Sequence, residues 1–462
     1  MATESDGVET LLGEPRKALR SVAWPILVSL LVTQFITLAD SIWCSGLGVD
    51  ALSSISFFSP IYWMIAGIGT GMGIGLAALI SYAIGSSDRD RASHYLTQGM
   101  GFMTVLSFAC IVPLLLLVEP VLGFMGGSEI MDDCLEYAIP LVIMTPIIVL
   151  NCTIMGSLRG EGDSRRTMKM NLITAGANII IDPLLIYGVG LGLTGAALST
   201  GISSAISLGL GLHWYALGKT YVPMSFRGFR FSGKTLGEIL KVGGPQILEY
   251  DLMYAFNIFL FFFVSNVGGS TGVALYNTPW RLIHVAVAPI EAIGSAIVPV
   301  ASAAFGQRDP DKARRTYKIA FTNALVIGVA LAVFLALFAD ELVLMFSYEP
   351  SMAGYREELA DVLRIYSVFL PFFGLCFVGA GIVQSMKLGT VSLISAIVRN
   401  FILVAFYAWA STVSMTAIYW STTAAEIIGG IMAMVLAAYF IAKECPRVRD
   451  SGMEDRRPSH RW

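Results

Sequence analysis

The chain has 462 residues, 55% of them hydrophobic and only 14% charged, with a formal net charge of −3. Soluble proteins carry about 25% charged residues, so an ordinary aqueous globule is excluded, and a mean hydropathy of +0.71 agrees. Many apolar runs exceed the ~18 to 20 residues that a helix needs to cross the hydrocarbon, which implies an all-α integral membrane protein.

Residues 1–21 open acidic and turn basic, with no apolar core or small-residue cleavage site, so they read as a tail and not as a cleaved signal peptide. Six spans follow near 22–44, 58–84, 96–118, 135–157, 168–188 and 193–215, forming an N-terminal lobe over 22–215. A basic stretch, KTYVPMSFRGFRFSGK at 219–234, lies in a linker over 216–241. Six more spans near 242–266, 281–303, 318–340, 361–385, 391–411 and 417–442 make a C-terminal lobe over 242–442, and a basic tail occupies 443–462.

Lys and Arg set the orientation. They collect in the N-terminal tail, in the loops after spans 2, 4, 6, 8 and 10, and in the C-terminal tail. The loops after spans 1, 3, 5 and 11 have none. Both termini are therefore expected in the cytoplasm of a cell-membrane protein. The six cysteines show no CxxC or metal-like spacing and read as small apolar packing residues.

The chain repeats itself. GLAALISYAIGSSDRDRA at 75–92 resembles AIVPVASAAFGQRDPDKA at 296–313, and WPILVSL at 24–30 resembles GPQILEY at 244–250. Each half holds an even number of spans, so the two copies share one topology, related by a pseudo-twofold axis along the membrane normal. Such halves face each other across a cavity, and rocking one against the other gives alternating access.

Polar residues inside the membrane are costly and point to function. Asp40 stands near the end of span 1. Asn178 and Asp182 are four apart on span 5 and share a helix face. Thr200 lies in span 6, and a rise of about 1.5 Å per residue places Asp40, Asp182 and Thr200 in the outer half of the membrane. Pro183 cannot donate to the carbonyl of Ile179, which leaves that oxygen to a cation or water. Two carboxylates, an amide and a hydroxyl are hard oxygen ligands suited to H+ or Na+. The plain alternative is a proline kink with acids paired for packing. Pro25 is a second bending point, in span 1.

The C-terminal lobe has no acids at the matching places; Asp40 falls against the apolar IFLFFF. It carries Glu249 and Asp251 in span 7, Glu291 in span 8 and Glu426 in span 12. Ion pairing of Glu291 with Arg281, Arg399 or His284 is an equal alternative to an ion site. Tyr62, Trp63, Met64, Met253 and Phe256 are candidates for a cavity lining, though helix packing accounts for such residues as readily.

Taken in order, these marks resemble the multidrug and toxic-compound extrusion (MATE) family of antiporters, in its archaeal and bacterial branch. They are the proline-opened spans 1 and 7, the glycine run of span 2 ending in IGSSDRDRA, the segment NTPWRLIHVAVAPIEAIG, and Asp40 with Asn178, Asp182 and Thr200. The resemblance covers spans 1 to 12 and adds Gln34 and Tyr137 as polar residues near the cation site. It implies two six-helix bundles forming a V. It also implies export of amphipathic, often cationic, organic compounds against H+ or Na+, by a monomer with no cofactor and no nucleic-acid partner. The span 7 acids depart from the family pattern, which leaves a coupling site in the C-terminal lobe open. Two rivals are a lipid-linked oligosaccharide flippase of the same superfamily and a membrane-embedded enzyme; HExxH and Asp-rich loops are absent from the sequence.

Overall fold

The structure, a computed structural model, describes residues 4–125, 130–344 and 354–454. In chain order the helices are α1 (Glu4–Leu12), α2 (Pro15–Ser45), α3 (Val49–Gly85), α4 (Arg89–Phe124), α5 (Met131–Ile143), α6 (Thr145–Gly160), α7 (Ser164–Pro183) and α8 (Gly192–Ala216). A long apolar helix then breaks at Gly269, whose φ of 58° only glycine adopts cheaply. It gives α9 (Gly233–Gly269) and α10 (Leu275–Gly306). After these come α11 (Pro310–Leu337), α12 (Ala339–Val343), α13 (Arg356–Ser367), α14 (Leu370–Ser385), α15 (Gly389–Ala410) and α16 (Met415–Glu454).

Among the described residues ten helices are long and apolar enough to cross a bilayer, and counting each of two bent pairs as one span makes twelve. The spans expected at 135–157 and 361–385 are those pairs. α5 meets α6 at 53° and α13 meets α14 at 40°. Pro146 and Pro371 stand in the first turns of α6 and α14, where a missing N–H costs nothing and a new helix direction begins. The spans form two bundles, α2–α8 and α9–α16.

The internal repeat is visible in the helix caps. The Asp88 carboxylate accepts from the Arg91 N–H at 2.9 Å, and Asp309 accepts from the Lys312 N–H at 2.8 Å. The residues just before them, Ser87 and Arg308, both take left-handed backbone, at φ 62° and 56°. The same turn and the same cap start α4 and α11, one in each lobe.

The glycine run of α3 has two faces. A Cβ on Gly69 would lie 2.5 Å from the Val149 carbonyl and one on Gly156 2.3 Å from Gly73 Cα, so this face packs on α6 inside the lobe. A Cβ on Gly71 would lie 2.5 Å from the Ile247 nitrogen, so the other face packs on α9 of the other lobe. Glycines let two backbones approach, which is how apolar helices find adhesion inside lipid. The inter-lobe seam continues to the end that carries the N-terminus. There Lys387 Nζ stands 3.3 Å from the centre of the Tyr82 ring. Arg91 pairs with Glu238 at 3.1 Å, and the Tyr95 hydroxyl donates to the same carboxylate.

The stretch between lobes, expected over 216–241, is shorter as irregular chain because α9 already starts at Gly233. It lies along the first turns of α4. Arg89 Nε donates to the Tyr221 carbonyl at 2.7 Å, Ser93 Oγ to that of Pro223 at 2.5 Å and Gln98 Nε2 to that of Arg230 at 2.7 Å. Residues 1–21, expected as a tail, contain α1 and the first turns of α2.

Candidate functional site

α2 and α7 pack together, and their facing surfaces bring Asp40 against Asp182. The two carboxyls lie close enough to share a hydrogen bond when one of them carries a proton. Asp182 is 1% exposed, and both of its carboxylate oxygens are buried without a hydrogen-bond partner. Asp40 Oδ1 and Asn178 Oδ1 are in the same condition. Four unsatisfied oxygens converging in an apolar bundle is an unstable arrangement unless something cationic is shared among them.

The helix spacing that puts Asn178 and Asp182 on one face of α7 also turns both toward α8. Asn178 Nδ2 donates to Ser199 Oγ at 3.3 Å, and that hydroxyl also faces Asp182. The expected α8 ligand was Thr200. Its hydroxyl instead donates to the Ala196 carbonyl of its own helix at 3.3 Å. Ser199 sits one residue earlier, buried, and was missed because serine in a run of small residues gives no signal of direction.

Pro183 has a larger effect than a weakened turn. α7 ends on it and the chain passes into a π-turn, Leu184–Gly188, closed by the Val189 N–H on the Leu184 carbonyl at 2.8 Å. Such wide turns inside helices are frequent at functional sites. The turn carries Tyr187, whose hydroxyl donates to the Trp43 carbonyl and so ties α7 back to α2 just beyond Asp40. Pro25 lies within α2, which runs on unbroken. The Pro25 carbonyl accepts from the Ser29 hydroxyl at 2.9 Å, the Ser29 carbonyl from Thr33 at 3.0 Å and the Thr33 carbonyl from Thr37 at 3.1 Å. Side-chain back-bonding of this kind bends a helix, and here it starts at the residue that already lacks an N–H.

Tyr137 packs edge-on against Phe58 at 5.7 Å and lies within the field of Asp40 and Asp182. With Trp43, Leu47 and Ile55 it covers a small apolar cluster of Cys44, Ile186 and Ala196 next to the carboxyls. Beyond that cluster, a pocket of about 260 Å³ is lined by Leu47, Asp50, Asp133, Glu136 and Leu193, among others. Gln34 is exposed on α2 and does not join the buried group.

The C-terminal lobe is built differently. Glu249 accepts from Ser392 at 3.0 Å and from Gln246 at 3.4 Å. Glu291 faces Arg159 of the other lobe. Arg399, considered as a partner for Glu291, pairs instead with Glu426 at 3.3 Å. Asp251 lies against Gly67, where a Cβ would come within 3.0 Å of its Oδ1, and that oxygen is buried without a partner. Trp63 and Tyr254 stack across the seam at 6.2 Å, one turn away from this contact.

The counterpart of the carboxyl site is a hydroxyl cluster. Asp182 lies eighteen residues past the start of α7, and Tyr407 lies eighteen past the start of α15. Ser199 and Thr422 are each seven past the starts of α8 and α16. Tyr407 bonds to Thr422 and donates to the Tyr276 hydroxyl at 2.9 Å. The repeat has kept the place and exchanged an acid for a phenol.

Comparison with known proteins gives a consistent set. The family profile described as MatE matches residues 25–184 and 245–410. The FAD transporter of Shewanella oneidensis is 25% identical over 364 residues, which cover 77% of this chain and 78% of that protein. The multidrug export protein MepA of Staphylococcus saprophyticus is 24% identical over 387 residues, covering 83% and 85%. Among solved structures, that of MATE in complex with MaL6 superposes with a TM-score of 0.89 at 29% identity, covering 95% of this chain and 99% of that one. A MOP superfamily transporter from Pyrococcus furiosus, described as having a binding pocket of reverse polarity, gives 0.90 at 29%, with 95% and 98% covered.

Proposed function

Because the chain belongs to the MatE family of transporters, and is therefore not an enzyme, we propose that it exports amphipathic, often cationic, organic compounds in exchange for H+ or Na+. The observation that carries this reading is the pair Asp40 and Asp182, facing each other with buried, unpartnered oxygens. Two carboxyls so placed cannot both stay ionised in an apolar bundle unless a cation lies between them; otherwise one holds a proton. Their oxygens, with those of Asn178 and Ser199, suit a hard cation; Thr200 remains a candidate only after rotation of its hydroxyl. MepA is described as a multidrug export protein, and that cargo class comes to this chain as part of the proposal.

In this reading the seam end, which carries the N-terminus, is the cytoplasmic side, in line with the distribution of Lys and Arg. The lobes are joined there, which closes that end of the seam. An ion arriving from outside neutralises the Asp40–Asp182 pair, removes their repulsion and lets α2 repack on α7. The bend-prone stretch from Pro25 to Thr37 and the π-turn after Pro183 absorb the movement. The cargo is expelled as the cavity changes shape.

Proteoliposomes loaded with a fluorescent lipophilic cation test this, with H+ and Na+ gradients imposed separately. Export driven by either gradient supports the antiport; export indifferent to both sinks it. A second reading, export of an anionic dinucleotide, is favoured by the largely buried Arg159 at the seam and by the described activity of the Shewanella relative. The same vesicles loaded with FAD decide between the two cargoes.

A further inference from the structure

α1 is short, yet it is held by both lobes. Leu11 is fully buried and Val8 nearly so, in one continuous core with residues of α3 and α10. On the N-terminal lobe, the Gly7 backbone lies against Gly162 in the turn after α6. A Cβ on Gly162 would come within 2.7 Å of the Gly7 carbonyl oxygen, and Gly162 has a φ of 80°. Only glycine fits a turn that is both left-handed and this close to another backbone.

On the C-terminal lobe, the last carbonyl of α1 is the acceptor. Leu12 O receives Gln307 Nε2 at 3.3 Å and also the ammonium of Lys312, which in turn donates to Gln307 Oε1 at 2.7 Å. Lys312 is only 8% exposed, and its described acceptors are a carbonyl and an amide oxygen. A cation at the C-terminal end of a helix meets the negative end of its dipole and its unsatisfied carbonyls, so α1 supplies much of what keeps that ammonium buried.

The two attachments differ in kind. Through Gly13 and Glu14 the helix is covalently continuous with α2, and so with the N-terminal lobe. Its hold on the C-terminal lobe rests on Leu12 with Gln307 and Lys312, and on side-chain packing. We propose that α1 is a strap across the seam, which holds this end of the two lobes shut and must release Gln307 and Lys312 before that end can open. This rests on the reading that the lobes rock to transport cargo. It adds that α1 sets how readily they do so.

Electron–electron distance measurement between spin labels on Asp90 of α4 and Arg315 of α11, both exposed, tests the strap without reference to cargo. The full-length protein is used, with its native cysteines replaced. In detergent it should show mainly the short separation of the closed seam. Leu11→Asp, which puts a charge into the core contact, and Lys312→Ala, which removes the bond to Leu12, should each raise the wide population several-fold. Lys312→Arg should restore the short one. Melting temperature serves as the fold control. Unchanged distances in folded Leu11→Asp and Lys312→Ala proteins overturn the strap, whatever their transport. If the distances shift as stated but neither proton nor Na+ gradient drives export, the exporter reading fails and the strap stands.

Discussion

Gly75 of α3 and Gly243 of α9 meet so closely that a Cβ on the first would lie 2.4 Å from Cα of the second. One belongs to each lobe. Because Gly67, Gly71 and Gly75 are spaced by four, they form one stripe toward α9, while Gly69 and Gly73 turn toward α6. The same run of glycines thus serves two interfaces, one inside the N-terminal lobe and one between the lobes.

That division separates two kinds of substitution. Gly69→Ala overpacks the lobe interior and should cost about 1–3 kcal/mol of stability, seen as a lower melting temperature. Gly75→Ala should leave each lobe sound and prop the seam apart, shifting the label distance described above with little loss of melting temperature. Equal melting losses in both would show that the seam is as permanent as the lobe core.

The pH dependence of stability should carry the mark of Glu161, which lies just past α6. Burial pushes its carboxyl up to about 7, although the Tyr215 hydroxyl at 2.6 Å and the Val222 N–H at 3.1 Å both donate to it. The folded protein therefore holds this proton more tightly than the unfolded chain does. The associated stability is complete below the ordinary value of 4.5 and is lost as pH rises through about 7. Stability should fall between pH 5 and pH 8 by on the order of 3 kcal/mol at most, read as a lower melting temperature, and Glu161→Gln should flatten that slope. A slope identical in the variant would place its origin elsewhere.

Ser199 and Thr200 can be told apart. Ser199→Ala removes the hydroxyl that bridges Asn178 and Asp182 and should weaken ion-dependent transport several-fold. Thr200→Val removes a bond within α8 only and should have a smaller effect. Transport rate against Na+ concentration and against pH, for both variants, provides the comparison; a larger loss in Thr200→Val would reverse the assignment.

Tyr407→Phe examines the other half of the repeat. Loss of its bonds to Tyr276 and Thr422 should cost about 1–2 kcal/mol of stability and leave the ion dependence of transport as it was. A changed ion dependence would show that the phenol cluster takes part in coupling.

The membrane class, the span number and the repeat were all legible, because apolar run length and the 220-residue echo are properties of the chain itself. Asp40 and Asp182 were legible because acids are so costly in lipid that each stands out singly, and Asn178 because it lies four residues from Asp182 on the same helix face. What the sequence concealed were relationships set by rotation about helix axes. Ser199 takes the place expected of Thr200, and Arg399 chooses Glu426 over Glu291. The docking of residues 4–12 was hidden too, since a nine-residue segment has little preference of its own and becomes a helix only where Leu11 finds a core.

The central claim is that cargo and ion compete through the Asp40–Asp182 pair, and proton or Na+ release on cargo binding tests it most directly. Detergent-solubilised protein in weak buffer is saturated with tetraphenylphosphonium, while a pH indicator and a Na+ electrode follow what is set free. Wild type should release H+ or Na+ on binding. Asp40→Asn and Asp182→Asn should bind the probe and release neither. Release from either variant equal to that of wild type would contradict the account.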